Sequence, residues 1–403
     1  MRSEIRPPRP NAIATFLSSR DFLSGCQCLL HSINTTLPPL AKEEYPPEVV
    51  VLLSSKLKND TSVTDRLRLF CTRIIEVEHI PIVNDSSDED TRKPSHVKSW
   101  DENCGWTKLR LFDLDGYDTI LYIDADCLVV KDVSHLLRIG EDDHDDRNNL
   151  NRRRRGLVAA APDIFPPDKF NAGVMVLRPS KEVFDDMISR LPTEGTENDS
   201  TNCSSYDGGD TGYLNSYYPS WYSWPECSRL PFGYNAQRLM YHYTYQSRPQ
   251  YWDEGIDNLY IVHFSSSPKP WDAMRSSSKD EESTEYLNNE DKTNIQRLKG
   301  GKLEQMWQAA YERSQKYFMK AKRKQLASTQ PSKQPAERKQ QTKVASSQPI
   351  QNDPKSFNKH FKELRASGMS LQEAMKKARV ECGLDKLDNV DPTHAVGQMF
   401  GLR

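Results

Sequence analysis

Apolar and polar positions alternate between two periods along the first part of the chain. NAIATFLSS, from Asn11, is an apolar run of strand type, and RDFLSGCQCLLHSI sets its apolar residues at helical spacing. EVVVLLSS is a continuous β-branched run of the kind buried on both faces of a sheet, and RIIEVEHIPIV reads the same way. TKLRLFDL predicts a short amphipathic helix, and DTILYIDADCLVV returns to strand composition. Strands alternating with helices predict a parallel or mixed sheet in an α/β layered fold. Farther on, LVAAAPD and GVMVLRPS are strand-like, KEVFDDMISRL is helical, residues 192–205 form a polar loop, and LYIVHFS is the last core strand.

The pattern fails in three places. Residues 141–155, EDDHDDRNNLNRRRR, join an acidic block to a basic one with no apolar period, the mark of a solvated loop insertion. After Trp271 the chain turns polar until KLEQMWQAAYERSQKYF, whose aromatic and aliphatic residues predict a helix packed on the main domain. The next stretch is Lys, Gln, Ser and Pro with little to bury, and then SFNKHFKELRASG and SLQEAMKKARVECG each carry a Ser start and a Gly stop. The organisation expected is a disordered 1–11, one domain over 12–275, a linker and packing helix over 276–319, a disordered basic linker over 320–353, and a short helical module over 354–403.

Composition narrows the class. Only 36% of 403 residues are hydrophobic, so much of the chain lies outside a core. The 55 Lys and Arg nearly cancel 57 Asp and Glu, and RRRR and KAKRKQ lack interleaved aromatics, which argues against nucleic-acid binding. No apolar run approaches the roughly 20 residues of a membrane helix, and the opening residues lack a signal segment, so a cytoplasmic protein with no membrane span is expected. Eight Cys without a CxxC pair read as reduced, mostly buried thiols. Sequons at Asn34, Asn59, Asn84, Asn198 and Asn202 would matter only in a secretory compartment.

The chemistry concentrates at strand ends. Asp124 and Asp126 close an apolar strand, and at extended spacing they point to one side. Two carboxylates at the edge of an apolar sheet call for a cation, and a divalent metal bridging to phosphates is the common solution. His263 lies in an equally apolar strand; such a His is as a rule a satisfied core residue, yet with two carboxylates it would complete a manganese site. Lys269, between Pro268 and Pro270, sits on a stiff loop where a cation can meet a diphosphate. The Gly pair between Asp207 and Asp210 lets backbone approach a ligand, and Asn171 in FNAGV offers an amide to sugar hydroxyls or, more plainly, a turn.

In this order the segments resemble glycosyltransferase family eight, in its glycogenin-like branch. NAIATFLSSRDFLSG, TKLRLF, LYIDAD, AAPD, FNAGV, DGGDTGYLN, LPFGYN and VHFSSSPKPW follow the family's sequence of motifs from Ala12 to Trp271. The resemblance implies an α/β GT-A nucleotide-sugar-binding fold with a mixed, mostly parallel central sheet and a flexible tail with short helices. It implies a retaining hexosyltransferase that takes a UDP-sugar, glucose first, with Mn²⁺. On it Asp124, Asp126 and His263 hold the metal, Lys269 meets the phosphates, and Lys108 reaches the donor sugar. Asn171, Asp207 and Asp210 surround the sugar, and Phe16, Ser18, Ser19 and Phe22 line the uridine pocket. Lys108, Asp207 and Asp210 are the catalytic set, with Asp210 supporting a front-face transfer rather than serving as nucleophile.

Departures bear on substrate. Thr211 stands where the glycogenin-like members have Gln, and Ser266 where they have Gly. The stretch in which such members glycosylate their own Tyr here holds Tyr241, Tyr243 and Tyr245, with His242 at the aligned position. Galactose, glucuronate or N-acetylglucosamine transfer to another glycan or lipid is the alternative. A different class is a weakly active scaffold recruiting a glucan synthase through its terminal helices. The partners implied are a UDP-sugar and a glycan or protein hydroxyl, with a homodimer left open.

Overall fold

The computed structural model describes residues 9–37, 46–81, 104–139, 156–164, 166–192, 202–241, 258–275 and 301–329, together with Lys377. The chain divides into two compact units, residues 1–330 and 331–403, and every element named below belongs to the first. The charged insertion at 141–155, the linker over 330–353, His242, Tyr243, Tyr245, Asn84 and Asn198 lie outside the described residues, as do the terminal helices apart from Lys377.

β1 (Ala12–Leu17), α1 (Leu23–Thr36), β2 (Glu48–Ser54), α2 (Thr61–Leu67) and β3 (Arg73–Val77) open the fold. β4 (Ile120–Ile123), β5 (Cys127–Val129), β6 (Leu157–Pro162), β7 (Phe170–Leu177), α3 (Lys181–Ser189) and α4 (Asp210–Tyr217) follow. β8 (Ala236–Gln237), β9 (Ile261–His263), α5 (Pro270–Arg275) and α6 (Lys302–Thr329) complete it. Helix starts are written in the sequence. Asp60 accepts the backbone N–H groups of Ser62 and Val63 ahead of α2, and Ser180 accepts that of Val183 ahead of α3.

A six-stranded sheet runs in the order β3-β2-β1-β4-β7-β6. Its first four strands are parallel, whereas β7 is antiparallel to β4 and β6 to β7, the mixed, mostly parallel α/β sheet expected of a GT-A fold. Strand alternation splits the core in two. Ala12, Ala14, Phe16, Leu52 and Tyr122 pack on one face; Ile13, Leu17, Val51, Leu53 and Ile123 pack on the other.

Four expectations change. DTILYIDADCLVV is not one strand: β4 belongs to the large sheet and β5 to a second sheet, β5-β9-β8, so LYIVHFS is a strand of that smaller sheet. β3 is an edge strand with Arg73 and Glu76 exposed, because among the described residues it pairs only with β2. TKLRLFD forms a 3₁₀ helix, Thr107–Asp113, tight enough to bury Leu109, Leu111 and Phe112. The packing helix runs to Thr329, past its expected end at 319, since KAKRKQ, residues 320–325, consists of strong helix formers although none of the six is buried.

Candidate active site

Parallel strands gather ligand-binding loops at their carboxyl ends. The loop after β1 carries Ser18, Ser19 and Phe22, and beside it the chain leaves β4 at Asp124, because β1 and β4 are paired neighbours. Between the two sheets Asp124, Ala125 and Asp126 form a tight turn, closed by Cys127 N–H on Asp124 O at 3.0 Å. The turn, not extended-strand alternation, brings the two carboxylates to one place. Gly173 O of β7 takes Asp124 N–H at 2.8 Å and Asp126 O takes Phe264 N–H at 3.0 Å, so both sheets pin it.

His263 faces this turn from β9, with Nε2 3.3 Å from Asp126 Oδ1 and 4.0 Å from Asp124 Oδ2. Its protonation pattern follows from a chain of contacts. Gly173 N–H donates to Asn171 Oδ1 at 2.9 Å, which fixes that atom as oxygen. Asn235 therefore meets it through Nδ2 at 3.0 Å and turns Oδ1 to His263 Nδ1 at 2.8 Å. The acceptor on Nδ1 requires a proton there, and in neutral imidazole that leaves the Nε2 lone pair aimed at the carboxylates. Asn235 is fully buried and His263 is 3% exposed. Gly173 is needed for the same reason, since a Cβ there would lie 2.3 Å from His263 Cε1.

Two ammonium groups neutralise the carboxylates. Lys108 bridges Asp124, at 2.9 Å, and Asp210, and lies 5.1 Å from the Tyr122 ring centroid. Tyr122 donates its hydroxyl to Asp124 Oδ1 at 2.5 Å. Burial disfavours the Lys108 charge, but Asp124 and Asp210 outweigh it and hold its pKa above the usual lysine value. Burial raises the Asp210 carboxyl against the pull of Lys108. On the other side Lys269 donates to Asp126 Oδ2 at 2.6 Å and to Phe264 O at 2.8 Å. Burial raises the Asp126 carboxyl, and the Lys269 ammonium more than reverses this, leaving it well below the carboxylate range.

Asp124, Asp126, His263, Lys108, Asp210, Lys269 and Asn171 thus come together. Phe22 joins them, its ring centroid 5.7 Å from Lys269 Nζ. Phe16 and Ser18 are buried at the end of β1 and just beyond it, and Ser19 is half-buried. Asp207 is exposed, and its Oδ1 accepts from Ser205 Oγ, Gly209 N–H and Gly212 N–H, which shapes the loop before α4. Thr211 accepts the Ala172 N–H at 3.1 Å and ties α4 to β7.

The profile of Glycosyl transferase family 8 matches residues 14–275. The chain belongs to glycosyltransferase family 8. Among its relatives, Glycogenin-1 of Caenorhabditis elegans is 28% identical over 257 residues, covering 64% of this chain and 50% of its own. Glycogenin-1 of Mus musculus is 32% identical over 165 residues, 41% of each chain. Inositol phosphorylceramide glucuronosyltransferase 1 of Arabidopsis thaliana is 28% identical over 185 residues, 41% of this chain and 28% of its own. The chain spans half or less of the length of these relatives. The solved galactosyltransferase LgtC with donor and acceptor sugar analogs has a TM-score of 0.39 at 18% identity, over 64% of this chain and 88% of that one. Apo GlyE of Streptococcus pneumoniae has a TM-score of 0.43 at 16% identity, over 79% and 64%.

In this family-8 chain the donor set fits a divalent cation: two carboxylates and an imidazole whose tautomer is already fixed for ligation. Asp126, Cys127 and His263 also offer donor atoms within 4.8 Å of one another. Burial, with Asp126 and Asp124 nearby, holds the Cys127 thiol well above its ordinary pKa, so the oxygen and nitrogen set is preferred. Tyr122 and Asn235 were missed as site residues. Their signals were present: Tyr122 lies two residues before Asp124 on its strand, and Asn235 ends LPFGYN. Among the described residues no helix is long and apolar enough to cross a membrane.

Proposed function

We propose that the chain transfers a hexosyl group, glucose first, from a UDP-sugar to a hydroxyl acceptor with retention of anomeric configuration, using Mn²⁺. The observation that carries the reading is the meeting of Asp124, Asp126 and His263 Nε2 between Lys108 and Lys269. Mn²⁺ held by Asp124, Asp126 and His263 would supply Lewis-acid stabilisation of the departing diphosphate. Lys269 exchanges its bond to Asp126 for one to a donor phosphate and adds positive charge where the leaving group gains negative charge.

In the transfer the bond from the anomeric carbon to phosphate oxygen breaks, the bond to the acceptor oxygen forms on the same face, and the acceptor proton passes to the departing phosphate. Asp210 is paired with Lys108, which quenches it as a nucleophile and supports this front-face course. Lys108 and Asp210 orient the sugar, and Asn171 offers its amide nitrogen.

UDP-glucose turnover with and without Mn²⁺ tests the reading. Equal metal-independent turnover in the wild type and an Asp124→Ala, Asp126→Ala variant would sink it. An external glycan or lipid acceptor is favoured over the chain's own Tyr241, which is buried in a core cluster with Trp271, Leu303 and Trp307. Intact mass after incubation with several UDP-sugars names the donor and separates the two acceptors.

A further inference from the structure

Helix α6 lies beyond the residues that carry the family match, yet it backs the donor site through two separate contacts. The first is polar. Arg238, 1% exposed, stands between α6 and the loop that leads into Lys269. Its Nη2 donates to Ser266 O at 2.6 Å, Ser266 Oγ at 2.6 Å and Pro268 O at 2.8 Å, and its Nε reaches Ser266 Oγ at 3.1 Å. Its Nη1 meets Glu304 of α6 at 3.4 Å. A guanidinium holds its donors in a rigid fork, so one side chain fixes two loop residues, Ser266 and Pro268, and Glu304 supplies the countercharge that a buried cation needs.

The second contact is aromatic. Trp307 of α6 meets Trp271 with ring centroids 5.6 Å apart, and Trp271 meets Phe22 edge-on at 5.5 Å. Trp271 also presses on Gly25 of α1, where a Cβ would lie 2.5 Å from the ring. The loop carrying Lys269 is thus held before the lysine by Arg238 and after it by Asp272 Oδ2, which takes the Lys269 N–H at 2.8 Å. Only the Lys269 side chain is left to move between Asp126 and a phosphate.

We propose that Arg238 and Glu304 are positioning residues that set where the Lys269 ammonium stands, which makes α6 part of the donor-binding machinery. The proposal rests on the reading that Lys269 meets the donor's phosphates. It explains why a charged pair is buried at a helix packed outside the sheets, where an apolar pair would serve packing as well.

The test uses the full chain with Arg238→Lys, which keeps the charge but loses the fork, and Glu304→Gln, which keeps the shape but loses the countercharge. Hydrogen exchange of the free protein over residues 264–272 reads the clamp, and calorimetric UDP affinity with Mn²⁺ reads its consequence. Both variants are expected to speed exchange in that loop selectively and to weaken UDP by about tenfold or more, as small displacements of a binding group do. In a Lys269→Met background the same changes are expected to cost UDP affinity nothing further. Wild-type loop exchange in both variants, exchange raised evenly over the whole domain, or a full additional loss on top of Lys269→Met would each overturn the proposal. UDP affinity unaffected by Lys269→Met, with loop exchange still raised by Arg238→Lys, would instead remove the donor reading of Lys269 and with it the role given to Arg238.

Discussion

Asn235→Ala isolates the tautomer lock on His263. The variant deletes the acceptor that lies 2.8 Å from His263 Nδ1, at a position with no solvent exposure. If the proton stays on Nδ1, a buried donor goes unsatisfied at about 1–3 kcal/mol. If it moves to Nε2, it occupies the lone pair that faces Asp126 at 3.3 Å, and the imidazole stops being a ligand. Either route costs metal affinity, and changes in the partners of ligating His residues weaken binding by about 10–100-fold, or ~1.4–2.7 kcal/mol. Free Mn²⁺ followed by electron paramagnetic resonance during titration reads the affinity. The thermal midpoint, which moves about 2–4 °C per kcal/mol in a domain of this size, shows that the fold survives. Wild-type Mn²⁺ affinity in a folded Asn235→Ala protein would refute the lock.

Three other outcomes are expected. Lys108→Met leaves Asp124 and Asp210 facing each other without their cation and destabilises the protein by about 3–5 kcal/mol in urea unfolding, with part of the loss recovered by adding Asp210→Asn. The Asp126 carboxyl is depressed in the folded state, so its stabilising contribution is present above the unfolded value of about 4 and is lost as pH falls through the folded value. Urea midpoints of wild type and Asp126→Asn should therefore differ at pH 7 and converge in strong acid. Iodoacetamide at pH 8 should label exposed Cys227 well before Cys71 or Cys104, whose thiols burial pushes up to about 12 and about 11; peptide mass mapping reads the order.

The large sheet was legible because β1, β2 and β4 are short apolar runs bounded by polar loops, and burial on both faces leaves such a run few alternatives. The metal-binding candidates were legible for a related reason: carboxylates and an imidazole are costly inside apolar strands, so Asp124, Asp126 and His263 stand out from their surroundings. What sequence periodicity does not encode is which sheet a strand joins. LYIDADCLVV has one continuous apolar pattern, yet the Asp124 turn sends its two halves into different sheets, and only the pairing of Cys127 with His263 reveals it. Arg238 was illegible because a polar residue after a turn motif has the same local appearance whether it faces water or is buried and partnered. Asp207 has a role that the sequence did not announce: its Oδ1 serves the loop's own backbone.

Charge at the site would couple the two proposed ligands, a divalent cation and a diphosphate. Three carboxylates, Asp124, Asp126 and Asp210, face two ammonium groups, Lys108 and Lys269, which leaves one negative charge in excess with His263 neutral. A divalent cation alone reverses that excess and must loosen the 2.6 Å bond between Lys269 and Asp126. A diphosphate alone meets the two aspartates with only lysines to offset them. Together, the cation and the two negative charges of a UDP-sugar's diphosphate restore the original balance, UDP overshoots it by about one charge, and in either case the released Lys269 gains a phosphate partner. Cation and nucleotide should therefore bind cooperatively, by a factor within the usual range of about 5–150-fold. Thermodynamic reciprocity demands that UDP strengthen Mn²⁺ by the same factor with which Mn²⁺ strengthens UDP. Calorimetric titration of each ligand with and without a saturating amount of the other measures both factors, and two factors of one would mean that the aspartates and Lys269 do not form a shared site.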